Sequence, residues 1–177
     1  MRYHNGIVYA ANITNKEEGN GVIEIYSNSI GTWQVARKII IPEEEPEGLS
    51  EGLPKQDDII KLWVNNEMVF ASSFDRNELY SGTHETVIMS KATVQTEDNI
   101  KLFRPLICHG NDEQSVLIAD LGNNSLVLFR EGRYSRIGIN DLRWPQSAVY
   151  IHGRLYIVEN KDVQSYISVY LPEFQRE

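Results

Sequence analysis

Val116-Leu117-Ile118-Ala119-Asp120-Leu121-Gly122-Asn123-Asn124-Ser125-Leu126-Val127-Leu128-Phe129 consists of two short apolar runs held apart by a polar turn. Branched aliphatic residues and a terminal aromatic suit a pleated, partly buried surface. Gly and Asn tolerate the positive φ of a tight reversal. The stretch therefore predicts a hairpin, with one strand ending near Asp120 and the next near Phe129. Similar runs lie at Gly6 to Ala11 and at Val22 to Tyr26. No long stretch keeps apolar residues at i, i+3, i+4 and i+7, so helix is scarce. Gln34 to Ile41 mixes charge with apolar residues, ends at Pro42 and reads as an edge strand.

The hairpin recurs. First strands align on Tyr9, Phe70, Ile118 and Tyr156, and their partners end on Tyr26, Tyr80, Phe129 and Tyr170. The steps between units are 61, 48 and 38 residues, as expected of loop insertions on a repeated scaffold. The largest insertion, Glu43 to Gly52, is acidic and reads as a solvated loop. Each first strand follows a turn: His4-Asn5-Gly6, Asn65-Asn66-Glu67, His109-Gly110-Asn111-Asp112 and His152-Gly153-Arg154. Earlier strands at Ile59 to Val64, Leu106 to Cys108 and Ala148 to Ile151 follow Pro54, Pro105 and Pro145. Proline lacks a ladder donor and suits the start of a strand. Fourth strands are expected near Trp33 to Ile41, Thr86 to Met89 and Tyr134 to Ile139. Four antiparallel strands per unit predict an all-β fold: a β-propeller, or part of one, with about four blade-like units. The units fall near 1–42, 54–90, 100–140 and 144–172 of one domain spanning 1–177. Trp33, Trp63 and Trp144 are expected to pack between blades.

The third unit resembles the core of an NHL repeat: a hydrophobic strand, Ala119-Asp120, an Asn-containing turn, then a strand ending in Phe129. The fourth unit, Trp144-Pro145 through Leu155-Tyr156-Ile157-Val158-Glu159-Asn160 to Tyr170, is similar, with Glu159 where the family more often has Asp. The resemblance covers about residues 105 to 171. It implies propeller blades and leaves the activity open, because propellers host unrelated functions.

Composition narrows the function. A single cysteine excludes an intrachain disulfide and any multi-thiolate zinc site; Cys108 reads as a buried, inert thiol. The net charge of -8 argues against nucleic acid or an anionic membrane as partner. No apolar run approaches the length of a membrane span, and the first residues lack a signal-peptide core, which favours a cytoplasmic location. Ser-centred elbow, His-Glu-x-x-His, Walker and GxGxxG motifs are missing. No cofactor or metal is expected. His4, His109 and His152 recur at turns of separate units and read as exposed turn residues. Asn12-Ile13-Thr14 and Asn123-Asn124-Ser125 match the glycosylation pattern, which reads as chance here.

Asp75, Asp120 and Glu159 follow matching strands, where a carboxylate can accept N–H groups of the next turn. The loops Ile13–Asn20, Asp75–Glu78, Asp120–Ser125 and Glu159–Gln164 share this end of the strands. They carry more carboxylates than cations and predict an acidic face. The function expected is a non-catalytic interaction module holding a protein or peptide, preferably basic, through Asn12, Asp75, Arg76, Asp120, Asn123, Glu159 and Lys161. Two alternatives stand beside it. One is a metal-assisted hydrolase of the lactonase type, with Asp120 and Glu159 among its ligands. The other is a sugar- or small-ligand-binding propeller. A six-bladed ring at 40–45 residues per blade needs about 240–270 residues. The 177-residue chain therefore reads as a segment of a larger ring, or one that closes by pairing with itself or a partner through open strand edges. On this reading the first unit lacks its opening strand and the last its closing one.

Overall fold

The structure is a computed structural model and describes residues 1–12, 21–29, 31–42, 60–92, 100–110, 115–161 and 164–171. The fold is all-β. Four antiparallel sheets each join neighbours in sequence, compatible with propeller-like blades. The first sheet runs β1 (Arg2–His4), β2 (Ile7–Asn12), β3 (Gly21–Ser29) and β4 (Thr32–Ile41). The second runs β5 (Ile60–Val64), β6 (Met68–Ser73), β7 (Glu78–Thr83) and β8 (Ser90–Lys91). The third runs β9 (Pro105–His109), β10 (Ser115–Asp120), β11 (Ser125–Arg130) and β12 (Arg133–Ile137), with a single 3-10 turn at Leu121–Asn123. The fourth has three strands among the described residues: β13 (Pro145–Ile151), β14 (Arg154–Lys161) and β15 (Gln164–Tyr170). The chain divides into two compact units, Met1–Ala92 and Thr93–Glu177. Among the described residues no helix is long and apolar enough to cross a membrane.

Turn chemistry sets the hairpins. Asn5 and Gly6 sit at φ 47° and 79°, and His152 and Gly153 at 48° and 75°. These paired positive values match the twist of the flanking strands. The second unit's turn works differently: the Asn65 side-chain oxygen accepts the N–H groups of Glu67 and Met68, at 3.0 and 2.7 Å. Pro105 and Pro145 each open a strand. Pro54 and the insertion at 43–52 lie outside the described residues.

In the first unit, strand alternation drives Tyr9, Ile23, Ile25, Ile39 and Ile41 into a core with Leu62, Val64, Val69, Ala71, Tyr80 and Met89 of the second sheet. Burying such side chains contributes about 1.5–3 kcal/mol each. The Arg2 guanidinium lies 5.0 Å from the Trp63 ring centre, and Arg76 donates to the Pro42 carbonyl at 2.6 Å. Residues 87–89 flank β4: the Ile40 N–H donates to the Val87 carbonyl, and the Met89 N–H donates to the Ile40 carbonyl, both at 2.8 Å.

Three expectations are corrected. The first sheet does have an opening strand, because the three residues Arg2–His4 pair with Ile7–Tyr9. The second sheet's fourth strand is Ser90–Lys91 rather than Thr86–Met89, whose Ile88 instead bridges to Ile40. Trp33 and Trp144 do not pack between blades; they are 45% and 54% exposed. For Trp33 the reason is a bulge. Ile25 pairs with Arg37 but Tyr26 pairs with Val35, so Ala36 is an extra residue. It moves Trp33 and Val35 off the face carrying Ile39 and Ile41.

Candidate functional site

The third and fourth sheets carry the same bracket. Asp120 ends β10 opposite Pro105, and Glu159 lies in β14 opposite Pro145. Both are 0% exposed. The Asp120 carboxylate accepts the Phe103 N–H at 2.7 Å, the Asn123 amide at 2.7 Å and the Ser125 hydroxyl at 3.5 Å. Glu159 accepts the Arg143 N–H at 3.0 Å, the Tyr170 hydroxyl at 3.4 Å and the Ser168 hydroxyl. Each carboxylate thus holds the N–H two residues before the proline that starts the sheet. Residues between anchor and proline, Arg104 and Trp144, adopt positive φ of 56° and 47°. The structure corrects the expectation that these carboxylates accept N–H groups of the following turn. They reach back across the strand pair to the incoming chain.

The two groups titrate in opposite directions. Burial raises the Asp120 carboxyl above its ordinary value, outweighing the hydrogen bonds from Phe103, Asn123 and Ser125 and the nearby Arg136 charge. Burial also pushes Glu159 up. There Ser168, the Arg143 N–H, Lys161 and Tyr170 together prevail, and its carboxyl lies below the usual range.

Of the remaining expected contact residues, Asn12, Asp75 and Arg76 lie in the first compact unit and Asn123 and Lys161 in the second. Asn12 closes β2 opposite Val22. Asp75 lies exposed in the turn after β6, whereas the strand-end position there is Ser73, whose hydroxyl accepts the Arg76 N–H at 3.1 Å. Arg76 is turned onto Pro42. Asn123 is committed to Asp120 and to the Lys101 carbonyl, 2.8 Å away. The Lys161 ammonium stands 3.9 Å from Glu159. Lys16, Glu17, Glu18 and Asp162 lie outside the described residues. Of the described loop carboxylates, Asp75 is the exposed one; Glu78 is mostly covered and paired with Lys91. Among the described residues no three His, Cys, Asp or Glu side chains come together to hold a metal ion.

Histidine placement was harder to foresee. His4 is half-buried, with its ring stacked on His84 at 6.2 Å, and His109 is half-buried at the end of β9; His152 is exposed. His84 Nε2 lies 2.8 Å from the Asn65 carbonyl, which only accepts, so that nitrogen carries a proton. In the neutral ring Nδ1 then accepts from the Tyr9 hydroxyl at 2.6 Å. This tie joins the first two sheets. Burial raises the Tyr9 hydroxyl's pKa; Arg37 opposes the shift and Glu85 adds to it. Cys108 is buried, and its thiol donates to the Leu106 carbonyl at 3.3 Å.

The fourth sheet has two unlike faces. Ala148, Leu155, Ile157 and Glu159 are buried. On the opposite face Val149 pairs with Tyr156 and Tyr156 with Val169, while Val158 pairs with Ile167. Val149, Ile151, Tyr156, Val158 and Ile167 line a shallow trough there. Ile167 is 71% and Val169 51% exposed. The outer strand, β15, is seven residues long, Gln164-Ser165-Tyr166-Ile167-Ser168-Val169-Tyr170, without charge, proline or bulge. Every other edge strand described has protection: Arg2 in β1, Arg37 and Lys38 in β4, Lys61 in β5, Lys91 in β8, Pro105 in β9, Arg133 and Arg136 in β12, and Pro145 in β13. Such features are what keep sheet edges from pairing with other chains. The sequence held this signal in the alternating, uncharged run from 164 to 170. Comparison of the chain with models of known families and with curated proteins gives no match.

Proposed function

We propose that the chain is a non-catalytic protein-interaction module whose fourth sheet accepts an extended segment of another polypeptide along β15. The similarity to NHL repeats over residues 105 to 171 supports reading the third and fourth sheets as blades of a propeller-like scaffold. The observation that carries the proposal is the β15 edge, unprotected among the described residues, beside an open aliphatic face. Backbone hydrogen bonds along such an edge supply affinity, and alternate side chains supply selectivity. The carboxylates expected to meet a basic partner, Asp120 and Glu159, are instead engaged within their own sheets. The partner segment therefore needs alternating apolar residues more than positive charge.

Selection of random extended peptides tests this. Peptides retained by the protein should be uncharged and alternating, and should be lost on Ile167→Lys. Asp75→Lys should leave them bound. Peptides that ignore Ile167→Lys but are lost on Asp75→Lys would move the site to the loops and overturn the reading.

A further inference from the structure

We infer that the segment taken up along β15 is β15 of a second copy of this chain, paired antiparallel about a two-fold axis at Ile167. The inference rests on the strand-accepting reading above and names its partner. About that axis Gln164 meets Tyr170, Ser165 meets Val169, Tyr166 meets Ser168, and Ile167 meets itself. All seven residues find a partner. Directly opposed residues in an antiparallel pair share a face. The row Ser147–Val158–Ile167 on the open face therefore continues into Ile167–Val158–Ser147 of the second copy. Counted over the described residues, two three-stranded sheets become one of six strands.

Charge selects this occupant. Two of the three sheets that have a fourth strand join a carboxylate on the third strand to a lysine on the fourth. In the first, Glu24 accepts the Tyr26 hydroxyl at 2.7 Å and pairs with Lys38 of β4 at 3.5 Å. In the second, Glu78 accepts the Tyr80 hydroxyl at 2.5 Å and pairs with Lys91 of β8. The fourth sheet repeats the tyrosine contact, Tyr166 to Gln164 at 2.5 Å, with a neutral amide in place of the carboxylate. Its neighbour therefore needs no cation. A copy of β15 has none, and two copies meet there without bringing like charges together, although each chain carries a net charge of -8. A two-fold contact of this kind is the commonest way identical chains associate.

Sedimentation of the whole chain over a concentration series tests the inference. The mass should rise from 20.3 kDa toward twice that value. Ile167→Lys should remain a monomer whose unfolding midpoint matches that of the wild type diluted to its monomeric range, because Ile167 is largely exposed. Ile167→Cys should cross-link on mild oxidation, since directly opposed Cβ atoms approach to about 4.5 Å, the upper end of what a disulfide spans. Val169→Cys should cross-link at least tenfold less, because its partner across the axis is Ser165. Equal cross-linking of the two cysteine variants, or a dimer that persists in Ile167→Lys, would overturn the register. A monomer that still binds Ile167-dependent peptides would overturn the second copy and leave the strand-accepting function standing. A monomer that binds none would end both.

Discussion

Asp120 in the third sheet and Glu159 in the fourth hold the same N–H position, two residues before a strand-opening proline, yet their protons are held in opposite senses. Both lie at 0% surface exposure, but Asp120 sits deeper, so desolvation weighs more on it. The rest of the difference is what surrounds the carboxylate. Asp120 has a backbone N–H, an amide and a distant hydroxyl, all neutral donors, with the Arg136 charge acting on it without a hydrogen bond. Glu159 has a backbone N–H, two hydroxyls from β15 and the Lys161 ammonium nearby. The extra methylene of Glu reaches far enough along β14 to meet the third strand, so the fourth sheet ties its incoming chain and its edge strand to one group. A repeated backbone position thus fixes the anchor, while its depth and the neighbouring strand together decide whether the anchor is comfortable as an anion.

The strongest way to break the comparison is to remove one anchor outright. Asp120→Ala leaves the Phe103 N–H and the Asn123 amide without their acceptor in a buried place. The cost should be about 3 kcal/mol in urea unfolding. A loss below about 1 kcal/mol would mean that water or a shifted turn replaces the carboxylate. Glu159→Gln is milder, because an amide oxygen still accepts from Arg143 or Ser168. It should cost about 1.5–2 kcal/mol, since hydrogen bonds to a charged group are lost. Asp120→Asn should cost less than Glu159→Gln, because Asp120 gains least from being ionised.

The pH dependence sharpens the same contrast. A carboxyl raised in the folded state binds more protons folded than unfolded. The Asp120 contribution is fully present below its ordinary value of 3.8 and is lost as pH rises through the higher folded value. Glu159 has the opposite sign. Its contribution is present above the ordinary 4.5 and is lost as pH falls through the lower folded value. Around the ordinary values of 3.8 and 4.5 the two slopes oppose each other. Asp120→Asn should make stability climb more steeply with pH, and Glu159→Gln should flatten or reverse the climb. Chemical unfolding at several pH values reads this directly, and parallel curves for the two variants would contradict the assignment.

Much of this arrangement was legible in the residues. Pro105 and Pro145, the paired strands and the acidic position at 120 and 159 stand at matching places, and the four sheets follow from them. The direction of the anchors was not legible. The contacts Phe103–Asp120 and Arg143–Glu159 span 17 and 16 residues and exist only once β9 and β13 pair in register. Local turn chemistry favours the nearer N–H groups, and tertiary pairing overrides it. Trp33 escaped for a related reason, since one bulge changes which residues share a face. His84 lies in a turn whose sequence gives no hint of Tyr9, 75 positions away.

The link between the two sheets offers a smaller test. Asn124, at φ 50°, accepts the Trp144 N–H at 2.9 Å and so ties the turn of the third sheet to the chain entering the fourth. Asn124→Ala should cost about 1–2 kcal/mol, through the lost acceptor and the loss of asparagine's tolerance of the left-handed region. Asn124→Gly should recover the backbone part and cost about 1 kcal/mol or less. If Ala and Gly behave alike in thermal unfolding, the hydrogen bond rather than the backbone accounts for the effect.

The smallest expected effect belongs to Lys161. Its ammonium lies 3.9 Å from Glu159, and its side chain is 39% exposed, so solvent screens the attraction and the side chain gives up rotamer freedom to hold it. Lys161→Ala should cost about 0.5 kcal/mol or less, and less again in 0.5 M salt. The variant nonetheless separates two accounts of Glu159. If the hydroxyls of Ser168 and Tyr170 and the Arg143 N–H keep the carboxylate ionised, the pH at which stability falls in acid should hardly move without Lys161. If the lysine charge sustains the anion, that fall should shift upward, and Glu159 should come to behave like Asp120. Geometry favours the first outcome, because the ammonium sits beyond hydrogen-bond distance while the Ser168 hydroxyl and the Arg143 N–H are in direct contact.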